Sequence, residues 1–144
     1  MPIRPAEYDL IADKLKPSLE DLPPLVIAIS GSLHAGKTTF ARFLAWYFNI
    51  SPIETDFYLL PNEGFKYDSA EIERMISFRL AMLRPVIVEG FKVLSVLAEI
   101  KKTPNIIIRV NQSKSNIANG ENDKHSPALW GFSQATYFQI EVAH

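Results

Sequence analysis

The 144-residue chain contains no cysteine, which excludes disulfides, thiolate metal sites and cysteine nucleophiles outright. A reducing compartment is compatible with that absence. No apolar run approaches the roughly 18 residues needed to span a bilayer. Neither sign of charge dominates: 15 Lys and Arg stand against 16 Asp and Glu, a formal net charge of −1. That balance gives no reason to expect a polyanionic partner such as DNA or RNA. The first ten residues carry prolines and acidic side chains where a signal peptide needs a basic and then an apolar stretch. The expectation is a cytoplasmic protein with neither a membrane nor a nucleic acid among its partners.

What is present is the composition of a globular domain, 47% hydrophobic and 22% charged. The length predicts one domain over residues 1–144, with a helix and connector in 1–23. Ile11 and Leu15 sit four apart in a short amphipathic helix over 6–15, and Pro17, Pro23 and Pro24 punctuate the connector that follows. Residues 25–29 form an apolar run bounded by Gly31, as expected of a strand buried on both faces. Helical spacing of Phe40, Phe43, Leu44 and Tyr47 follows over 37–48. The alternation continues with a short strand at 51–54, a helix over 68–83, a strand at 85–88 closing on Glu89 and Gly90, a helix over 93–101 and a strand at 105–110. Strands alternating with helices at this spacing imply right-handed crossovers and a parallel sheet. Residues 111–126 are polar and without period, so a mobile loop is expected there, extending to 130 in a lid position. A last strand is expected at 137–142.

Gly31-Ser32-Leu33-His34-Ala35-Gly36-Lys37-Thr38 fits the pattern G-x-x-x-x-G-K-[ST], with Thr39 next in the chain. Background frequencies produce such a match by accident in roughly one chain in two hundred of this length. Here it also follows a predicted strand and opens a predicted helix, which is the context a phosphate loop requires. Glycines let the backbone curl so that its N–H groups converge on an anion, and the helix start adds unsatisfied N–H groups and a positive dipole end. Lys37 can reach the β- and γ-phosphates of ATP, and the Thr38 hydroxyl can ligate magnesium.

In an open parallel sheet, ligands sit beyond the carboxyl ends of the strands. Asp56 and Glu89 each fall at such an end, as does the phosphate loop. Two carboxylates near the γ-phosphate could divide the work, one holding magnesium and the other accepting the proton of an attacking hydroxyl. Either acid could instead cap a helix or face water. Phe57 and Tyr58 beside Asp56 are candidates for an apolar substrate wall. Trp130 and Phe132 read as core or lid-packing residues rather than as a base-stacking platform.

With the phosphate loop, Val26-Ile27-Ala28-Ile29-Ser30-Gly31, Thr55-Asp56-Phe57-Tyr58 and Val86-Ile87-Val88-Glu89-Gly90 resemble the uridine kinase and nicotinamide riboside kinase group of P-loop kinases. The resemblance covers residues 25–110 and implies a P-loop NTPase-type three-layer α/β fold, its central parallel sheet in the order 2-3-1-4-5 with helices on both faces. It implies Mg-ATP as cofactor and a small, nucleoside-like hydroxyl compound as acceptor. It places Asp56 at the second acid of the family's Asp-Asp-Phe-Tyr motif, in activation of the acceptor hydroxyl, and Glu89 at the acid near magnesium. Tyr67 and Asp68 resemble a segment that shapes the acceptor pocket.

The chain also departs from that pattern. Thr55 stands where many members have their first acid, and His34 replaces a small residue of the loop. The family carries an arginine-rich lid after its fourth strand, whereas residues 111–130 contain Lys114 and Lys124 and no arginine. Phosphoryl transfer needs positive charge on the equatorial oxygens. Arg74, Arg79 and Arg84 are cations that the preceding helix could supply, although their spacing also suits a solvated helix face; Arg79 is the candidate for the acceptor pocket. Two readings stay open: a kinase for a small hydroxyl acceptor, and a nucleotide-binding regulatory or degenerate P-loop protein without transfer. A signalling GTPase is disfavoured, because neither an Asn-Lys-x-Asp base-reading motif nor an Asp-x-x-Gly switch occurs.

Overall fold

The computed structural model describes residues 5–32, 35–64, 66–112 and 126–142. Helix α1 (Ala6–Leu19) leads through a turn into β1 (Val26–Gly31), and α2 (Lys37–Phe48) opens directly after the phosphate loop. β2 (Pro52–Glu54) ends in a 3₁₀ turn, Thr55–Tyr58, before α3 (Ser69–Ala81). β3 (Val86–Glu89), α4 (Val93–Glu99) and β4 (Ile106–Gln112) follow. A second 3₁₀ turn, Pro127–Trp130, precedes β5 (Thr136–Val142).

The five strands stand in the order β2-β3-β1-β4-β5, and every pairing is parallel. This is the α/β architecture of the P-loop NTPase type, with the order that the sequence resemblance implies. Alternation along each strand divides the core in two. Ile27, Ile29 and Ile108 face α1 and α2, whereas Val26, Ala28, Val88 and Ile107 face α3 and α4. β1 is buried at every position, as a strand covered on both faces must be. Pro52 opens the edge strand β2, a place where its missing N–H leaves no ladder bond unmade. Among the described residues, no helix is long and apolar enough to cross a membrane.

Two boundaries correct the sequence expectation. Helix α1 runs through Pro17 to Leu19 instead of stopping before the proline. Leu15 and Leu19 are both buried in the core beneath α1, and that burial outweighs the backbone bond that Pro17 cannot make. Strand β4 takes in Asn111 and Gln112, expected to begin the loop, because they pair with Glu141 and Val142 of β5. Residues 113–125 lie outside the described residues, so the lid expectation applies to a segment the structure does not describe.

Candidate functional site

β1 delivers the phosphate loop to the carboxyl edge of the sheet, flanked by β3 and β4. Gly31 has φ 152, and a Cβ there would run into the Val110 carbonyl oxygen of β4, so only glycine lets the chain leave the sheet so closely. Gly36 has φ 93 and ψ 18, the left-handed conformation that turns the loop into α2. It offers no side-chain cap, and the first turn of α2 carries no acidic residue. The first N–H groups of that helix are therefore left for an anion. Leu33 and His34 of the loop lie outside the described residues.

Lys37 is 6% exposed, and its Nζ donates to the Ser32 carbonyl oxygen at 2.7 Å across the loop. Burial lowers its ammonium below the ordinary lysine value, opposed by the charges of Glu89 and Asp56. Thr38 Oγ1 donates to Glu89 Oε1 at 3.0 Å. Glu89 is only 2% exposed, and burial pushes its carboxyl above the ordinary range against the Thr38 hydrogen bond and Lys37. Asp56 sits exposed on the first 3₁₀ turn and acts electrostatically on both Lys37 and Glu89. The loop lysine, the helix-start hydroxyl and both acids therefore come together, whereas Thr39 points to solvent.

The hydroxyl of Thr38 and the carboxylate of Glu89 are hard oxygen donors suited to magnesium. Among the described residues, no cluster of three acidic, histidine or cysteine side chains could hold a metal without help. Magnesium fits such a sparse set, because it takes one or two protein oxygens and completes its shell with phosphates and water.

The sequence presented Thr55 only as a missing acid. It is fully buried, and its hydroxyl donates to the Glu89 carbonyl oxygen at 3.0 Å, joining the end of β2 to the end of β3. Arg42 of α2 grips Glu54 through two hydrogen bonds, at 2.9 and 3.1 Å, and fixes the same strand end from outside. Tyr67 is buried beside Thr55, within the electrostatic reach of Asp56 and Glu89.

The remaining acceptor-site candidates are dispersed. Phe57 is 77% exposed next to Asp56, and Tyr58 turns away to α3, where its hydroxyl meets Met75 Sδ at 2.7 Å. Asp68 caps α3 by accepting from the Glu71 N–H. Arg79 requires correction: with Arg84 and Pro85 it lines a cavity at the opposite, amino-terminal end of β3, because α3 runs antiparallel to the strands and carries Arg79 away from the site. Arg74 is paired with Glu71 on the exposed face of the helix.

Two cavities open at the start of α4. One, of about 300 Å³, is lined by Phe91, Lys92, Ser95, Leu129 and Trp130. The other, of about 400 Å³, is lined in part by Lys66, Tyr67 and Glu99, and shares Lys92 and Ser95 with the first. Lys37 Nζ lies 5.9 Å from the centroid of the Phe91 ring. Phe91 directly follows Glu89 and Gly90, and its place just past a strand's carboxyl end was the available sequence signal for it. Phe132 is core, as expected, whereas Trp130 is half-buried at the cavity wall.

No protein-family model matches the sequence, and no curated protein matches it. Among solved structures, an uncharacterized protein from Eubacterium ventriosum is similar at 14% identity and a TM-score of 0.43, over 83% of this chain and 88% of that one. A shikimate kinase from Bacteroides thetaiotaomicron is similar at 18% identity and a TM-score of 0.36, over 79% of this chain and 84% of that one. At TM-scores this low, neither says anything about the chemistry of this chain.

Proposed function

We propose that the protein is a P-loop kinase that transfers the γ-phosphoryl group of ATP to a hydroxyl of a small, nucleoside-like molecule, as its resemblance to the uridine kinase group implies. The observation that carries this reading is the meeting of Lys37, Thr38, Glu89 and Asp56 at the carboxyl ends of three adjacent strands. The loop amides and Lys37 hold the phosphates, and Thr38 and Glu89 hold magnesium. Magnesium, when bound with ATP, offsets negative charge on the phosphates. Asp56, the exposed carboxylate of the set, accepts the proton of the acceptor hydroxyl. The acceptor oxygen forms its bond to the γ-phosphorus as the bond to the ADP oxygen breaks.

A second reading, a nucleotide-binding protein without transfer, has one observation in its favour: no arginine occurs from residue 110 to the last residue. Positive charge on the transferring group would then have to come from lysines and the metal. ADP release in Mg-ATP, measured across a panel of nucleosides and other small alcohols with Lys37→Ala as control, separates the two. Acceptor-dependent release absent from the control supports the kinase. Tight ATP binding without release on any acceptor supports the binder.

A further inference from the structure

We infer that the cavity at the amino-terminal edge of the sheet is a second anion site, built for a small phosphate monoester and independent of the kinase reading. Ser51 and Pro85 of its lining stand immediately before β2 and β3, whereas the phosphate loop leaves the opposite ends of the strands. Helix α2 starts at that loop and ends at Asn49 in the cavity wall. Its 12 residues therefore hold the two sites about 18 Å apart.

The cavity is about 290 Å³, at the small end of the range for ligand sites. Arg79 and Arg84 bring two positive charges to it, and no acidic residue lines it. Among the described residues, neither guanidinium has an ion pair or a side-chain hydrogen bond, whereas Arg42 and Arg74 each hold a glutamate. Asn49 and Ser51 add neutral hydrogen-bonding groups, and Leu22 and Met82 add apolar wall.

Cations also gather at helix C-termini to meet the last carbonyl oxygens. Here the backbone already meets them. The carbonyls of Ala45 and Trp46 accept from the Ile50 and Asn49 N–H groups, and those of Arg79 and Leu80 accept from Met82, Leu83 and Arg84. The turn after α3 also fixes the arginine pair. Leu83 holds φ 59, a left-handed conformation that leucine rarely adopts, and the Arg84 N–H returns to the Arg79 carbonyl oxygen at 3.1 Å. Leu22 in the lining holds φ 46. Backbone strain of this kind collects at binding sites. Two guanidiniums match a phosphate monoester, which carries close to two negative charges and three terminal oxygens at neutral pH. A single carboxylate would satisfy only one of them.

An amide-resolved NMR titration of the full chain with phenyl phosphate tests the assignment, with benzoate as the singly charged control and phenol as the uncharged one. The expected result is saturable movement of the Ser51 and Arg84 amide signals with phenyl phosphate and none with phenol. Benzoate should bind at least about tenfold more weakly. Arg79→Gln and Arg84→Gln should each weaken phenyl phosphate at least about tenfold, followed at Ser51, and leave the response of Gly36 in the phosphate loop unchanged. Phenyl phosphate that moves Gly36 but neither Ser51 nor Arg84 overturns the inference, as does movement that never saturates. Benzoate binding as tightly as phenyl phosphate gives the cavity to carboxylates and overturns the phosphate assignment. Equal affinity in the wild type and both variants removes the arginines from the site and overturns it as well.

Discussion

Replacing Gly90 by alanine probes the join between the two acid-bearing strand ends. A Cβ on Gly90 would collide with Thr55 Oγ1 and stand 3.1 Å from Thr55 Cβ. Thr55 cannot swing outward, because it is fully buried and its hydroxyl is bonded to the Glu89 carbonyl oxygen. Relief requires Thr55 to leave its rotamer and release that hydrogen bond. The rotamer costs about 0.5–1.5 kcal/mol, and the buried hydrogen bond about 1–1.5 kcal/mol. Gly90→Ala should therefore lose about 1.5–3 kcal/mol of stability, lowering Tm by roughly 3–12 °C for a chain of this size. Thr55→Ala by itself should cost about 1–2 kcal/mol. It also clears the space, so the double variant should cost at least about 1 kcal/mol less than the sum of the two. Urea unfolding followed by circular dichroism measures all four corners of this cycle. Additivity to within about 0.5 kcal/mol would show that the two side chains do not meet and would refute the reasoning.

Asp56→Asn should retain Mg-ATP affinity and lose turnover by about 10²-fold or more in a coupled ADP assay; full turnover would remove Asp56 from the proton-accepting role. Glu89→Gln should alter the pH dependence of stability. Burial raises the folded carboxyl above 4.5, so the folded state holds a proton that the unfolded state has released, and wild-type stability falls as pH rises through the window above 4.5. The glutamine variant should lack that fall in urea unfolding across the same window, and an identical slope in both proteins would contradict it. Phe40→Ala should lose about 3–5 kcal/mol in the same assay, since Phe40 is fully buried between α2 and the sheet.

The parts of this fold legible in the sequence are those set by local pattern. β1 reads as a buried strand because its apolar run is continuous, and α2 reads as a helix because Phe40, Phe43 and Leu44 repeat at helical spacing. Gly31 and Gly36 bracket the loop between them in geometries that demand glycine, so the turn from strand to helix was legible too. What escaped depends on tertiary contacts. Pro17 looked like a helix stop, and only the burial of Leu19 shows why the helix continues. Arg79 looked available to the site until the antiparallel run of α3 carried it to the far end. Thr55 looked like a lost acid, and its role as a strap to Glu89 needs the parallel neighbours β2 and β3 to be seen together. Trp130 and Phe91 are distant in sequence, so their shared cavity had no local signature.

The most direct measurement is a calorimetric titration of Mg-ATP into the wild-type protein and into Lys37→Ala, with thermal unfolding of both as a control for folding. The account predicts magnesium-dependent binding to the wild type. It predicts loss of at least about tenfold in affinity in the variant, the least that removal of a charge-assisted contact should cost, with the fold unchanged. Equal affinity in the two proteins, or no binding to the wild type, would contradict it.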